Sequence, residues 1–288
     1  MKTKENKPPF LKVEDHSVSG EEFELYYNSE SDMLETRPQP SEEKLPLYYQ
    51  SEDYISHTDS KRNLLEFIYQ KVKSIALKRK LKLINSFSNE GKNLLDVGCG
   101  TGDFLKTAKE DGWEITGIEP SQSARELANK KINDAVFDVD KLLELPKGSF
   151  DVITLWHVLE HLPKLDQHIT IFESLLKSEG KLIIAVPNFR SYDAKYYGTF
   201  WAAYDVPRHL WHFSKTSISR LVGKKNMILE KTLPMVFDAY YVSLLSEKFK
   251  NGFMNPIKAF WIASRSNLQA RRSGEFSSLI YIIKKQNS

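Results

Sequence analysis

Cysteine is almost absent from this 288-residue chain, where Cys99 stands alone. A disulfide framework and a cysteine-based zinc site are both excluded, and a reducing, cytoplasmic compartment fits. No apolar run approaches the roughly 18 residues that span a bilayer. The start of the chain is charged and carries Pro8 and Pro9, so neither a signal peptide nor an integral membrane segment is expected. A net charge of +3 is too small by itself to suggest nucleic acid. Internal repeats and low-complexity tracts are also missing. What remains, 41% apolar and 27% charged residues, is the composition of a globular chain long enough for one large domain or two modest ones.

The charge is unevenly placed. Residues 1–60 sum to −8 and the remainder to +11. The acidic stretch holds Pro8, Pro9, Pro38, Pro40 and Pro46, with Ser19, Gly20 and Asn28 between short apolar pieces. It reads as an irregular N-terminal arm with a few short strands, one around Glu22–Tyr27. From Lys61 the pattern becomes helical up to about residue 88: Leu64, Leu65, Phe67, Ile68, Val72, Ile75, Leu81 and Ile84 recur at helical spacing. Lys71, Lys73, Lys78, Arg79, Lys80 and Lys82 lie between them and read as a solvated face on a helix packed against the domain that follows.

Residues 61–288 then alternate between apolar runs and amphipathic stretches. Strands are expected at Asn93–Cys99, Glu114–Pro120, Ala135–Asp138, Phe150–Trp156, Gly180–Pro187, Ile228–Thr232 and Ser277–Lys284. Helices are expected over 102–111, from Ser121 to about Lys131, over Lys164–Lys177 and over Lys215–Lys224. Such alternation means βαβ units and an α/β, doubly wound, Rossmann-like sheet. Before the last strand, residues 238–274 form an insert rich in aromatics and basic residues. The spacing of Tyr241, Leu244, Leu245 and Lys248 predicts a helix, and Asn255-Pro256 breaks it from a second. The pair is expected to close over an acceptor pocket together with the Tyr204–His212 loop.

Chemistry concentrates at the first turn of this sheet, Asp96-Val97-Gly98-Cys99-Gly100-Thr101-Gly102. In an open α/β sheet a ligand lies outside the carboxyl ends of the strands. A pyrophosphate would want small neutral residues there, but Asp96 and Asp103 flank the loop. Two carboxylates suit a ligand carrying ammonium and sulfonium groups, which favours S-adenosylmethionine (SAM) over NAD. Glu119 closes the second strand at the spacing where an acid accepts two ribose hydroxyls. Asp138, with Val139 beside it, is placed to take an adenine amine, a role for which Asp140 competes. Each acid also has a plainer reading, Glu119 as a helix cap and Asp138 as a loop carboxylate.

The strings LLDVGCGTGDFL, GIEPS, SFDVITLWHVLEHL and IIAVPN together resemble the class I SAM-dependent methyltransferases, in particular the small-molecule enzymes of quinone biosynthesis. The resemblance implies a seven-stranded sheet of order 3-2-1-4-5-7-6 with strand 7 antiparallel. It implies a donor site of Asp96, Gly98, Cys99, Gly100, Gly102, Glu119, Pro120, Asp138, Val139, Trp156 and His157, with S-adenosylhomocysteine as product. Thr36-Arg37-Pro38-Gln39-Pro40 resembles a segment that follows a zinc-ribbon-like module in related bacterial enzymes. Here no cysteine precedes it, and Val13, Asn28 and Ser31 stand where ligands would be.

Methyl transfer needs alignment and, for some acceptors, a base. His157, His161, His209 and His212 are the candidates, with His157 and His209 expected in direct catalytic or substrate roles. His157, Glu160 and His161 share a face if their turn is helical, and a later histidine would complete a metal-type set resembling that of metal-dependent RNA 2′-O-methyltransferases. Bracing of the site by Glu160 and His161 is preferred, and no metal is expected. The expected partner is a small, apolar or aromatic acceptor, with peripheral membrane contact allowed, no nucleic acid, and a monomer or homodimer as the assembly. The alternatives are a SAM-binding pseudoenzyme or partner subunit, or an RNA 2′-O-methyltransferase-like enzyme.

Overall fold

The computed structural model describes residues 8–41, 43–49, 64–87 and 91–286. The expected junction at 60/61 lies outside the described residues. Strands form where apolar residues run without interruption. In β4 (Asn93–Val97), β7 (Phe150–Trp156) and β8 (Leu176–Pro187) both faces are covered, as a parallel sheet between helix layers requires. With β5 (Glu114–Ile118), β6 (Val136–Phe137), β10 (Met227–Pro234) and β11 (Ser278–Lys285) they form one seven-stranded sheet of order β10-β11-β8-β7-β4-β5-β6. β11 runs antiparallel to both β8 and β10, and the remaining pairs are parallel. This is the expected order, with the reversal at the expected strand.

One layer holds α1 (Leu64–Asn85), α2 (Asp103–Glu110) and α3 (Gln122–Ile132). There Ile84, Phe104, Leu105, Ala108, Ala128 and Ile132 bury against Leu94, Val152 and Ile183 of the sheet. The other holds α4 (Leu165–Leu175) and α6 (Lys215–Gly223). Leu165, Ile169 and Phe172, at helical spacing, meet Ile218, Leu221 and the opposite sheet face. The side chains of 64–69 lie outside the described residues. In the rest of α1, Val72 and Ile75 are more exposed than their spacing suggested, at 36% and 37%.

The arm is more regular than its composition implies. β1 (Leu11–Glu14), β2 (Glu22–Asn28) and β3 (Met33–Arg37) form an antiparallel meander, and β9 (Trp211–His212) from the distant loop adds to its edge through β3. Val13, Phe23, Leu25 and Leu34 pack with Phe189, Tyr197, Trp201 and Val206. Arg208, almost buried, reaches Asp15 at 3.0 Å and Asp205 at 2.7 Å.

The insert divides where expected, into α7 (Asp238–Asn251) and α8 (Pro256–Ser273), with Asn255 capping α8 by accepting from Lys258 N. Both pack on α5 (Tyr192–Tyr197) and the turns after it. Ser246 Oγ accepts from Ala202 N at 2.9 Å, and Ser266 Oγ donates to Asp193 at 2.6 Å. The outer face of α8 leaves Ile257, Phe260 and Trp261 exposed. Among the described residues no helix is long and apolar enough to cross a membrane.

Candidate functional site

The loop from Gly98 to Gly102 leaves the carboxyl end of β4 and caps α2. β5 lies on one side of β4 and β7 on the other, so the loop stands at the point where the chain's winding reverses, the usual ligand crevice of such sheets. Gly98 has φ +69, and a Cβ there would meet Val158 Cγ2 at 2.4 Å. Gly100 has φ +56 but faces open space, with nothing within 4 Å of where a Cβ would be. The first glycine permits packing and the second keeps a cradle open.

Glu119 holds this loop in place. Its Oε2 accepts from Gly100 N at 2.8 Å and its Oε1 from Ser121 N at 3.0 Å. The helix cap proper is Ser121, whose Oγ accepts from Ala124 N, so Glu119 braces the loop and the cap residue and does not itself cap the helix. Arg125 binds the Glu119 and Pro120 carbonyls and pairs with Asp138 at 2.8 Å. Asp138 also accepts from Val139 N at 2.6 Å. Beside it, Phe137, Val139 and Leu143 are exposed apolar side chains.

Asp96 is buried and accepts from Thr154 Oγ1 at 2.6 Å. Burial pushes its pKa up to about 7, although Thr154 and Lys80 favour the charged form. Lys80 is not on a solvated face. It comes over the Trp156 ring, 4.4 Å from the centroid, and burial lowers its pKa against the attraction of Asp96 and Asp238. Phe104 meets Trp156 edge-on, and the indole Nε1 is buried without a partner. Burial and the charges of Asp96 and Glu119 push the Cys99 thiol far up, which disfavours its thiolate. Asp103, expected to favour a cationic ligand, is already paired with Lys73 at 2.6 Å and Lys131 at 2.8 Å.

His157 follows β7 with φ +57. Its Nε2 lies 2.9 Å from Asp238 Oδ2 and its Nδ1 3.3 Å from Glu160 Oε1. Burial opposes its charge, yet hydrogen bonds to Asp238 and Glu160 outweigh this and raise it to about 10. In this arrangement His157 is an imidazolium held at both nitrogens, so it is not a free base. Glu160 is likewise kept ionised by His157 despite its burial.

His209, His161 and Glu160 form a second group that shares Glu160 with His157; Glu160 and His209 are buried and His161 half-buried, with one ligand atom of each within 4.8 Å of the others. Burial, then the charge of His209, lowers His161 to about 4. His212 is driven well below its ordinary value, first by burial, and sits 3.0 Å from Thr36 Oγ1. Thus His157 lies between Asp238 and Glu160, whereas His209 faces His161 and Glu160. Lys80, Thr154 and Asp238 escaped the sequence reading. Only Lys80 left a signal there, since it falls one turn before the apolar position Ile84.

A family profile described as a methyltransferase domain matches residues 59–227. An uncharacterized methyltransferase of Alkaliphilus oremlandii is 32% identical over 104 residues, 35% of this chain and 48% of that protein. A ubiquinone biosynthesis O-methyltransferase of Nitrosococcus oceani is 33% identical over 111 residues, 36% of this chain and 47% of its own length. The chain therefore spans about half the length of the curated relatives it matches. Among solved structures, a SAM dependent methyltransferase from Archaeoglobus fulgidus superposes with a TM-score of 0.50 and 18% identity, over 77% of this chain and all of that one (100%). A geranyl diphosphate C-methyltransferase from Streptomyces coelicolor, solved with Mg2+, geranyl diphosphate and S-adenosylhomocysteine, gives 0.53 and 14%, over 79% and 88%. At these identities the likeness is one of fold.

Proposed function

The chain belongs to the methyltransferase-domain family, and from that premise we propose that it transfers a methyl group from SAM to a small, apolar or aromatic acceptor. The observation that carries this reading is Glu119 locked to the open glycine loop at the switch point of the sheet. The residues fit the donor. A Cβ-free cradle at Gly100 admits the methionine part. Glu119 has about four lone-pair positions and gives two to backbone N–H groups, leaving others for ribose hydroxyls. The exposed apolar edge at Phe137 and Val139, beside Asp138, suits a flat base. Asp96 and the Trp156 ring offer a carboxylate and a π-face to a cation.

When bound, SAM supplies an electrophilic methyl on a sulfonium. The chain's own residues orient and exclude water. Asp238, the first residue of α7, reaches His157 and so brings the insert over the donor end of β7. We assign the insert and the Tyr204–His212 loop as the roof of the acceptor side. The exposed Ile257, Phe260 and Trp261, with Lys258 and Arg265 on the same helix, favour an apolar acceptor or a lipid surface nearby. The test is conversion of methyl-labelled SAM by the purified chain with cell extract. S-adenosylhomocysteine with label in a small extractable product supports the reading. Donor binding without turnover would leave a partner subunit, and no binding would remove the reading altogether.

A further inference from the structure

Glu160 and His161 lie on the short 3-10 turn Leu159–His161 that follows β7. His209 comes from the loop before β9, which is tied to that turn by Leu210 N donating to the Glu160 carbonyl at 2.8 Å. The nearest ligating atoms of the three side chains fall within 4.8 Å of one another, a span that one ion can bridge.

The hydrogen bonds around the group orient it. His209 Nδ1 lies 2.9 Å from the Ala203 carbonyl, and His161 Nδ1 lies 3.1 Å from the Arg208 carbonyl. A carbonyl only accepts, so His209 carries its proton on Nδ1 and keeps its lone pair on Nε2; at His161 Nδ1 the Tyr49 hydroxyl also approaches, at 3.0 Å, and can accept from the same N–H that reaches Arg208. Backbone carbonyls hold metal-binding imidazoles in this way. Glu160 is 1% exposed. Its Oε1 is held by His157, but its Oε2 is buried with no hydrogen-bond partner. A buried carboxylate oxygen without a donor needs an explanation, and a bound cation is one. Asp205, whose Oδ2 lies 3.8 Å from His209 Nε2, accepts from Arg208 through both oxygens.

We propose that Glu160, His161 and His209 bind one divalent transition-metal ion of the zinc type. Two imidazole nitrogens and one carboxylate oxygen suit zinc, cobalt or manganese, whereas calcium and magnesium ask for oxygen throughout. Three protein ligands also leave a position for water or an acceptor oxygen, as in reactive rather than closed sites. A bound metal departs from the bracing role without metal that is preferred from sequence. The inference goes beyond the proposed methyl transfer and stands without it.

The test uses the full chain, stripped with EDTA and dialysed into chelator-free buffer. Zn2+ is titrated by calorimetry and Co2+ by visible absorption, with thermal unfolding recorded with and without Zn2+. One ion per chain is expected, with Co2+ bands in the visible and a higher Tm with Zn2+. Glu160→Gln and His209→Ala should each weaken Zn2+ binding by about tenfold or more, while His168→Ala, on α4, should not. Circular dichroism shows whether His209→Ala is folded. If it is not, the isosteric Glu160→Gln carries the test. No saturable binding by the parent chain, or one-to-one binding that survives the folded ligand variants, overturns the proposal.

Discussion

His157 Nε2 and Asp238 Oδ2 meet at 2.9 Å, joining the end of β7 to the first turn of α7. The pair decides the state of the histidine nearest the donor loop. It also attaches the insert to the sheet.

A pH dependence follows from the raised pKa of His157. A group raised from 6.5 to about 10 contributes stability that is fully present below 6.5 and lost as pH rises through about 10. Protection of α7 amides against hydrogen exchange should therefore fall, beyond the intrinsic rate change, between pH 7 and 10. Asp238→Asn should bring the His157 ring titration, followed by NMR, down from about 10. An unmoved titration would mean that Asp238 does not hold the charge.

Asp96 works in the opposite direction. Its pKa rises from 3.8 to about 7 on folding, so the native state binds more protons between those values and stability falls as pH rises through them. Asp96→Asn should raise Tm at pH 8 and change it little near pH 4. The gain is bounded by on the order of 4 kcal/mol for a three-unit shift. The same substitution should weaken SAM binding. A variant less stable than the parent at pH 8 would contradict the reading of burial as the dominant influence on Asp96.

Removing the Glu119 carboxylate strands the N–H groups of Gly100 and Ser121 and takes away the acceptor for ribose. Charge-assisted hydrogen bonds are worth roughly 1.5–3 kcal/mol. Calorimetry with S-adenosylhomocysteine should then show Glu119→Ala weakened about tenfold or more. Equal affinity in parent and variant would place the ribose elsewhere.

Gly98→Ala meets two obstacles that a double-mutant cycle separates. The left-handed backbone at φ +69 costs about 1–2 kcal/mol for a residue with a Cβ, and Val158 Cγ2 stands at 2.4 Å from the new atom. In a Val158→Ala background the loss on urea denaturation should shrink by the steric part and keep the backbone part. A loss that is the same in both backgrounds would show that Val158 yields without cost.

Much of this could be read from residue order because the physics involved is local. The glycines of the β4–α2 loop stand where φ is positive, the core strands are unbroken apolar runs, and Asn255-Pro256 is both cap and first turn of α8. Glu119 was legible from its spacing. The pairing of His157 with Asp238 was not, since neither residue carries a mark of a partner so distant in the chain. Lys80 looked like one more charge on a basic helix, though its place one turn before Ile84 put it on the stripe that faces the sheet. β9 is two residues long, too short for any alternation to show. A later histidine beside Glu160 and His161 was already expected from sequence; that it is His209, with His212 turned to Thr36, goes with that small strand.

The edge pairing of β9 on β3 bears on whether the arm can be separated from the rest. Cutting the chain near residue 60 would strip Leu210 of its bond from Thr36 N, leave Arg208 without Asp15, and open the apolar cluster that Val13 and Leu34 share with Trp201 and Val206. Arg208 would keep Asp205 but lose one of the two carboxylates that compensate its buried charge. Grafting the arm onto another catalytic domain fails for the mirror reason, because its fourth strand would stay behind. A change in β3 is thus also a change in the loop that carries His209.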